Sequence, residues 1–591
     1  MLQRHPSKSW LVVFAILTGL FSTAAAQAAT GLDDGNPPEP IAVLHFAAYD
    51  RWYDNVALIG SIAGSPDLAQ GIEAMLNIAT AYRGLDGLDK NRPWAAFIMP
   101  RGPGLTAYAC LPVDRLDSLL EVIRPLTRNI TQHNGIHVIR FNNGATIRAA
   151  QRGGWAVVAW DDETIAEAAA DPTALIGELP KQYDLALRLN VARLPQVVRA
   201  IVLARLNQYL ADDRRANETE THYQLRRQKN RLAAEAVRAG IDELDSLTVG
   251  LTVDKTTGRL AAELTLVAKP DTSLAQNWSQ FNNRNNKKRL SPLAGFRLPD
   301  AALNAHLSFT PSQRTVDHLR LLIDAAAAEA CSELDRPGPK AGLKAIQELA
   351  TRTGRQISAR LAADQPLDVA VSVALHPQLG ATLASAVRLP SDEDAPWKAS
   401  TRAEKIGEID AKSWRAIIQD TDQDGLCILN DVTIQFGGKL GVRKKPLDFF
   451  ICPTQWGPRL YVATGAGKSN LYLAFGDDAT QYLEKAIKAS RTVPAKPAAP
   501  LDCSIELTPL VQLAAASAKG PAKVHAGLMA KALEESAGEN YVHLTAEPVE
   551  RGLRLRVELD QGVVRVMGLA AALFAQDQPT TEPRLDVVPT K

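Results

Sequence analysis

Apolar and polar residues alternate with a period of two along much of the chain, and the alternating runs come in pairs joined by turn residues. Ile147 to Gln151 and Trp155 to Trp160 flank Arg152-Gly153-Gly154, and Leu247 to Val253 and Arg259 to Val267 flank Lys255 to Gly258. Further along, Leu460 to Ala463 and Leu471 to Phe475 flank Gly465-Ala466-Gly467-Lys468, and Tyr541 to Ala546 and Leu553 to Leu559 flank Val549 to Gly552. Period two sends successive side chains to opposite faces of a strand, so such pairs predict antiparallel hairpins. Helical periodicity follows Asp161-Asp162-Glu163-Thr164 and Asp477-Asp478-Ala479-Thr480, and begins again at Pro195 and Pro509. Strands that arrive in hairpins predict an α+β fold with largely antiparallel sheets flanked by helices.

The order of these elements occurs twice, which predicts two pseudo-repeated halves. A turn-linked hairpin, an acid-capped helix, a strand leading into a helix (Tyr183 to Leu189; Leu501 to Leu507) and a second hairpin recur in sequence. The first half is placed at residues 40–281, with an inserted helical hairpin over about 195–243, and the second at 296–575. Residues 282–295 read as an Asn-rich basic linker, and 576–591 as a disordered polar tail. The acidic pairs Asp161-Asp162 and Asp477-Asp478 sit where carboxylates cap helix N–H groups, which explains them without a catalytic role.

Residues 1–28 have the three parts of a secretory signal peptide. Arg4, His5 and Lys8 supply positive charge, Trp10 to Phe21 a short apolar run, and Ala24-Ala25-Ala26 or Ala26-Gln27-Ala28 a cleavage site. Localisation is therefore expected to be exported: periplasm, cell envelope or extracellular. No later run has membrane-spanning length. With 66 basic and 65 acidic side chains the net charge is +1, which gives no reason to expect a nucleic-acid partner. Cys110, Cys331, Cys427, Cys452 and Cys503 are scattered outside any CxxC or CxxH spacing; Cys427 and Cys452 form the nearest pair.

The stretch from Asp420 to Asp431 carries the most suggestive chemistry. Asp420, Asp422 and Asp424 match the alternate oxygen ligands of an EF-hand loop, Gly425 supplies the bend, and the Leu426 carbonyl and Asp431 complete a candidate structural Ca2+ set. Asp431 stands where Glu is usual. Ser413 to Ile418 reads as a helix before the loop, but Val432 to Phe436 alternates like a strand, so a full helix-loop-helix is not formed. No other cofactor is indicated. Gly465 to Ser469 ends in Gly-Lys-Ser, but a strand follows it, so it reads as a turn and not as a phosphate loop. His45, His306, His376 and His543 lie in apolar strand patterns and read as interior or edge residues. Trp155 and Trp160 read as core anchors, and the stripe Val197, Val198, Ile201, Val202, Leu206 and Leu210 reads chiefly as core.

Gly87-Leu88-Asp89-Lys90-Asn91-Arg92-Pro93-Trp94-Ala95, Gly153-Gly154-Trp155-Ala156 and Tyr183 to Val191 resemble strings of uncharacterised exported proteins of planctomycete bacteria. That resemblance implies export and brings no activity or site residues. With no GxSxG, SxxK or HExxH motif, no catalytic residue is assigned. The expectation is an exported, non-catalytic protein that binds a protein partner or an apolar ligand at the envelope. A secreted hydrolase with a site assembled from scattered residues is the alternative.

Overall fold

A computed structural model describes residues 39–101, 104–210, 220–282, 290–291, 293–298, 300–313, 315–321, 323, 358, 361–362, 365–376, 380–388, 405–406, 409–410, 413–418, 427–435, 459–466, 470–475, 479–492, 496–497, 499–536 and 538–576. Residues 1–28, read as a signal peptide, and 577–591 of the segment read as a tail lie outside these residues.

The alternating runs form strands. The first half contributes β1 (Ala42–Phe46), β2 (Trp94–Arg101), β3 (Gly104–Pro112), β4 (Thr127–His133), β5 (Ile136–Phe141), β6 (Thr146–Arg152), β7 (Trp155–Ala159), β8 (Leu185–Leu189), β9 (Leu244–Asp254) and β10 (Arg259–Ala268). The remainder contributes β11 (Leu290–Ser291), β12 (Ala301–Phe309), β13 (Leu367–His376), β14 (Gly380–Arg388), β15 (Lys405–Ile406), β16 (Ile409–Asp410), β17 (Ser413–Ile418) and β18 (Cys427–Gln435). It continues with β19 (Arg459–Ala466), β20 (Asn470–Phe475), β21 (Lys496–Pro497), β22 (Leu501–Glu506), β23 (Tyr541–Val549) and β24 (Gly552–Leu559). The fold is α+β, and twenty of these strands form one sheet.

Every pairing in that sheet is antiparallel. From one edge the order is β4, β5, β6, β7, β3, β2, β1, β8, β9, β10, then β24, β23, β22, β12, β13, β14, β20, β19, β18, β17. The β10–β24 pair joins the two halves edge to edge, so backbone hydrogen bonds run unbroken across the boundary. Within the segment read as a linker, β11 pairs with β21 and Leu293 is buried.

Ser413–Ile418, read as helical, is strand β17 paired to β18. Six residues with Trp414, Ala416, Ile417 and Ile418 apolar are too few to separate the two periods, and pairing decided it. The inserted hairpin is present as helices Gln196–Leu210 and Glu220–Glu243. Asp161 caps the helix Asp162–Glu167, its carboxylate accepting the Thr164 N–H at 2.7 Å.

The tight core lies on one face of the sheet. In the first half Val43, Phe97, Tyr108, Cys110, Trp155, Ile176, Leu179 and Tyr183 cluster there. In the second, Ala370, Ala374, Ala384, Ala386 and Ala474 present little bulk, and Leu483, Ala486 and Ile487 of the helix Ala479–Thr492 pack down onto them. Small strand residues let a helix approach closely, so the face is sealed over these strands. Trp160, expected inside, is exposed where β7 ends.

Candidate apolar binding face

The opposite face carries the bulk. Cross-strand register gives one continuous row, Leu44–Leu187–Val249–Leu264–Leu555–Ala546–Leu501–Leu307, with one residue from each of eight neighbouring strands. A parallel row reads Phe46–Leu185–Leu251–Ala262–Val557–Leu544–Cys503–Ala305. At a strand spacing of about 4.8 Å each row is roughly 34 Å long. Phe46 stacks on Trp94 with ring centroids 4.7 Å apart, and the indole N–H donates to the Ala47 carbonyl at 3.2 Å, so an aromatic pair closes the second row.

A mid-sheet leucine normally lies deep in a core. Here all members of the two rows except Ala546 stay half-buried or exposed, and Leu187, Val249 and Leu251 retain 42%, 41% and 38% of their surface. Beyond the ends of these rows the same face is closed. Leu116 and Leu120 pack on Ile139, Ala149 and Ala156 at one flank, and Val316 and Leu361 pack on Leu367, Phe309 and Val369 at the other. The partly open stretch is therefore confined to the middle strands. The helix Gln196–Leu210, which follows β8, also leaves Val197, Ile201 and Val202 exposed, where the apolar stripe was expected to be core.

Polar groups lie behind this surface. Between the two rows, the residues facing the other way read His45–Ala186–Gly250–Glu263–Arg556–Thr545–Asp502–His306. The row is centred on the Glu263–Arg556 ion pair, with one histidine three strands out on each side. Glu263 is buried, accepts the Tyr183 hydroxyl at 2.9 Å and meets Arg554 at 3.8 Å. Burial and the neighbouring carboxylate raise the Tyr183 pKa, so the phenol stays a donor. Burial pushes the His45 imidazole down to about 4, and its Nε2 lies 3.4 Å from the Tyr183 carbonyl. His45 is thus neutral near pH 7.

His306 Nε2 lies 2.9 Å from Ser291 Oγ, the spacing of a nucleophile and its base. Ser291 is 1% and His306 6% exposed, and Ser291 Oγ also accepts the Leu293 N–H at 3.1 Å. A substrate carbonyl has no path to that oxygen, and the pair serves as a buried polar link. Of the candidate Ca2+ set, Asp420, Asp422, Asp424 and Leu426 lie outside the described residues. Asp431 lies in β18, in register with Ser413 and Ala463. Among the described residues no group of three or more His, Cys, Asp or Glu side chains is placed to hold a metal ion, and no helix is long and apolar enough to cross a membrane.

No family model, curated protein or solved structure matches this chain.

Proposed function

We propose that this is an exported, non-catalytic protein that holds an apolar ligand on the leucine-rich face of its central strands. The observation that carries the reading is the inverted burial of those strands. In β1, β8 and β9 the residues His45, Ala186 and Gly250 on the core side are buried, while Leu187, Val249 and Leu251 on the other side stay exposed. Burying one such side chain stabilises by about 1.5–3 kcal/mol, so two half-covered rows forgo on the order of 10 kcal/mol. A ligand that covers them recovers it, less the loss of freedom on binding. The rows exceed an extended eighteen-carbon chain at roughly 1.3 Å per bond, which suits acyl or other long hydrocarbon ligands. Contiguous apolar surface of this kind marks binding more often than idle exposure.

Native mass spectrometry of the protein purified from its own exported fraction tests the proposal. A lipid adduct, reduced in Val249→Asp and Leu251→Asp variants that stay folded, is the expected result. An adduct-free protein that also takes up no added lipid would rule the proposal out.

A further inference from the structure

A polar cleft of about 390 Å³ lies apart from the apolar face, and it supports an inference independent of the lipid reading. Helices Tyr49–Ile62 and Leu68–Ala79 and the turn from Thr80 to Lys90 form it. Gly87, part of its lining, lies close against the chain at Arg115 and Leu119. Gly87 adopts φ +84, and a Cβ there would lie 2.6 Å from the Arg115 carbonyl oxygen and 2.7 Å from the Leu119 nitrogen, so only glycine fits.

The turn is rigid. The Thr80 hydroxyl donates to the Leu76 carbonyl at 2.9 Å and accepts the Gly84 N–H at 3.1 Å, while the Tyr82 N–H donates to the Asn77 carbonyl at 2.6 Å. Ala81 and Tyr82 are both left-handed, with φ of 51 and 64. Two successive non-glycine residues in that region are uncommon and persist only where surrounding contacts hold them. The outcome is an aromatic ring held outward at the cleft rim, 83% exposed.

The charges around it select a ligand class. Glu73, Asp86 and Asp114 line the cleft beside Arg83 and Lys90, and Lys90 lies 5.3 Å over the Tyr49 ring. Among the described residues Glu73, Arg83, Asp86 and Asp114 have no side-chain hydrogen bond or ion pair. An anion would meet three carboxylates, and a cation would meet two bases. A neutral polyol can donate to the first set and accept from the second, and a pyranose also offers an apolar face to an exposed ring. We propose that this cleft binds a carbohydrate, with one sugar face on Tyr82 and its hydroxyls on the surrounding charged groups.

Saturation-transfer NMR and calorimetry on the whole protein test this with cellobiose, maltose and N,N′-diacetylchitobiose, beside glycine and inorganic phosphate as charged controls. At least one disaccharide should bind near the millimolar range, Tyr82→Ala should weaken it by roughly tenfold, and Tyr82→Phe should retain it. Circular dichroism of both variants should match the parent protein. If no disaccharide binds at about 10 mM, if only glycine or phosphate binds, or if Tyr82→Ala in a folded protein leaves binding unchanged, the proposal is overturned.

Discussion

Replacing Gly250 with alanine tests how firmly the sealed face of the sheet is packed. A Cβ at this position would lie 2.2 Å from Tyr183 Cδ1, 2.4 Å from Cε1 and 2.6 Å from Cγ. The ring cannot give way freely, because its hydroxyl donates to Glu263 at 2.9 Å and its backbone N–H to the Leu179 carbonyl at 2.9 Å. Moving it sacrifices a hydrogen bond to a charged group, about 1.5–3 kcal/mol, and adds overpacking of about 1–3 kcal/mol. Gly250→Ala should therefore destabilise by about 3–5 kcal/mol. Guanidinium unfolding followed by tryptophan fluorescence would measure it. A double-mutant cycle with Tyr183→Ala should show that, once the ring is gone, the same substitution costs less than about 1 kcal/mol. An unchanged midpoint for Gly250→Ala alone, or strictly additive effects in the cycle, would refute the assignment of Tyr183 to this contact.

Other outcomes follow from the same network and from the helix cap. The folded His45 pKa of about 4 lies below its unfolded value, so stability is full above about pH 6.5 and falls by roughly 3 kcal/mol as the pH drops to 4. His45→Gln should flatten that slope in pH-dependent unfolding, and an unchanged slope would reassign it. Glu263→Gln leaves Arg556 and Arg554 without their buried carboxylate and should cost about 3 kcal/mol in the same assay. Asp161→Ala removes the acceptor of the Thr164 N–H and should lower stability by about 1 kcal/mol, with Asp161→Asn recovering most of it.

The hairpins were legible because period two and Gly-containing turns are local signals. Asn134-Gly135 joins β4 to β5 with both residues left-handed, as its sequence requires. The Asp161 cap was legible for the same reason. Periodicity cannot tell which face of a strand will be covered. Leu187, Val249 and Leu251 look like core in sequence, and only the positions of the helices leave them exposed. Val197 and Ile201 were misread likewise, since an apolar stripe encodes a preference for burial and not a partner. The burial of His45 and His306 was expected, but their place on one register row with Glu263 and Arg556 depends on pairings between strands far apart in sequence, Glu263 with Arg556 and His306 with Asp502. The carbohydrate cleft left a faint trace in Gly84 and Gly87, whose positive φ values shape its turn. Nothing local announces that Tyr82 is left-handed.

On the proposed function, the half-open apolar face takes up a long hydrocarbon chain. Titrating the delipidated protein with a fluorescent long-chain fatty acid tests it most directly. Saturable uptake with a blue-shifted probe is expected, competed by unlabelled fatty acid and lost when Leu187, Val249 and Leu251 are changed to aspartate in a protein that still folds. Absence of uptake, or uptake indifferent to those three substitutions, would contradict it.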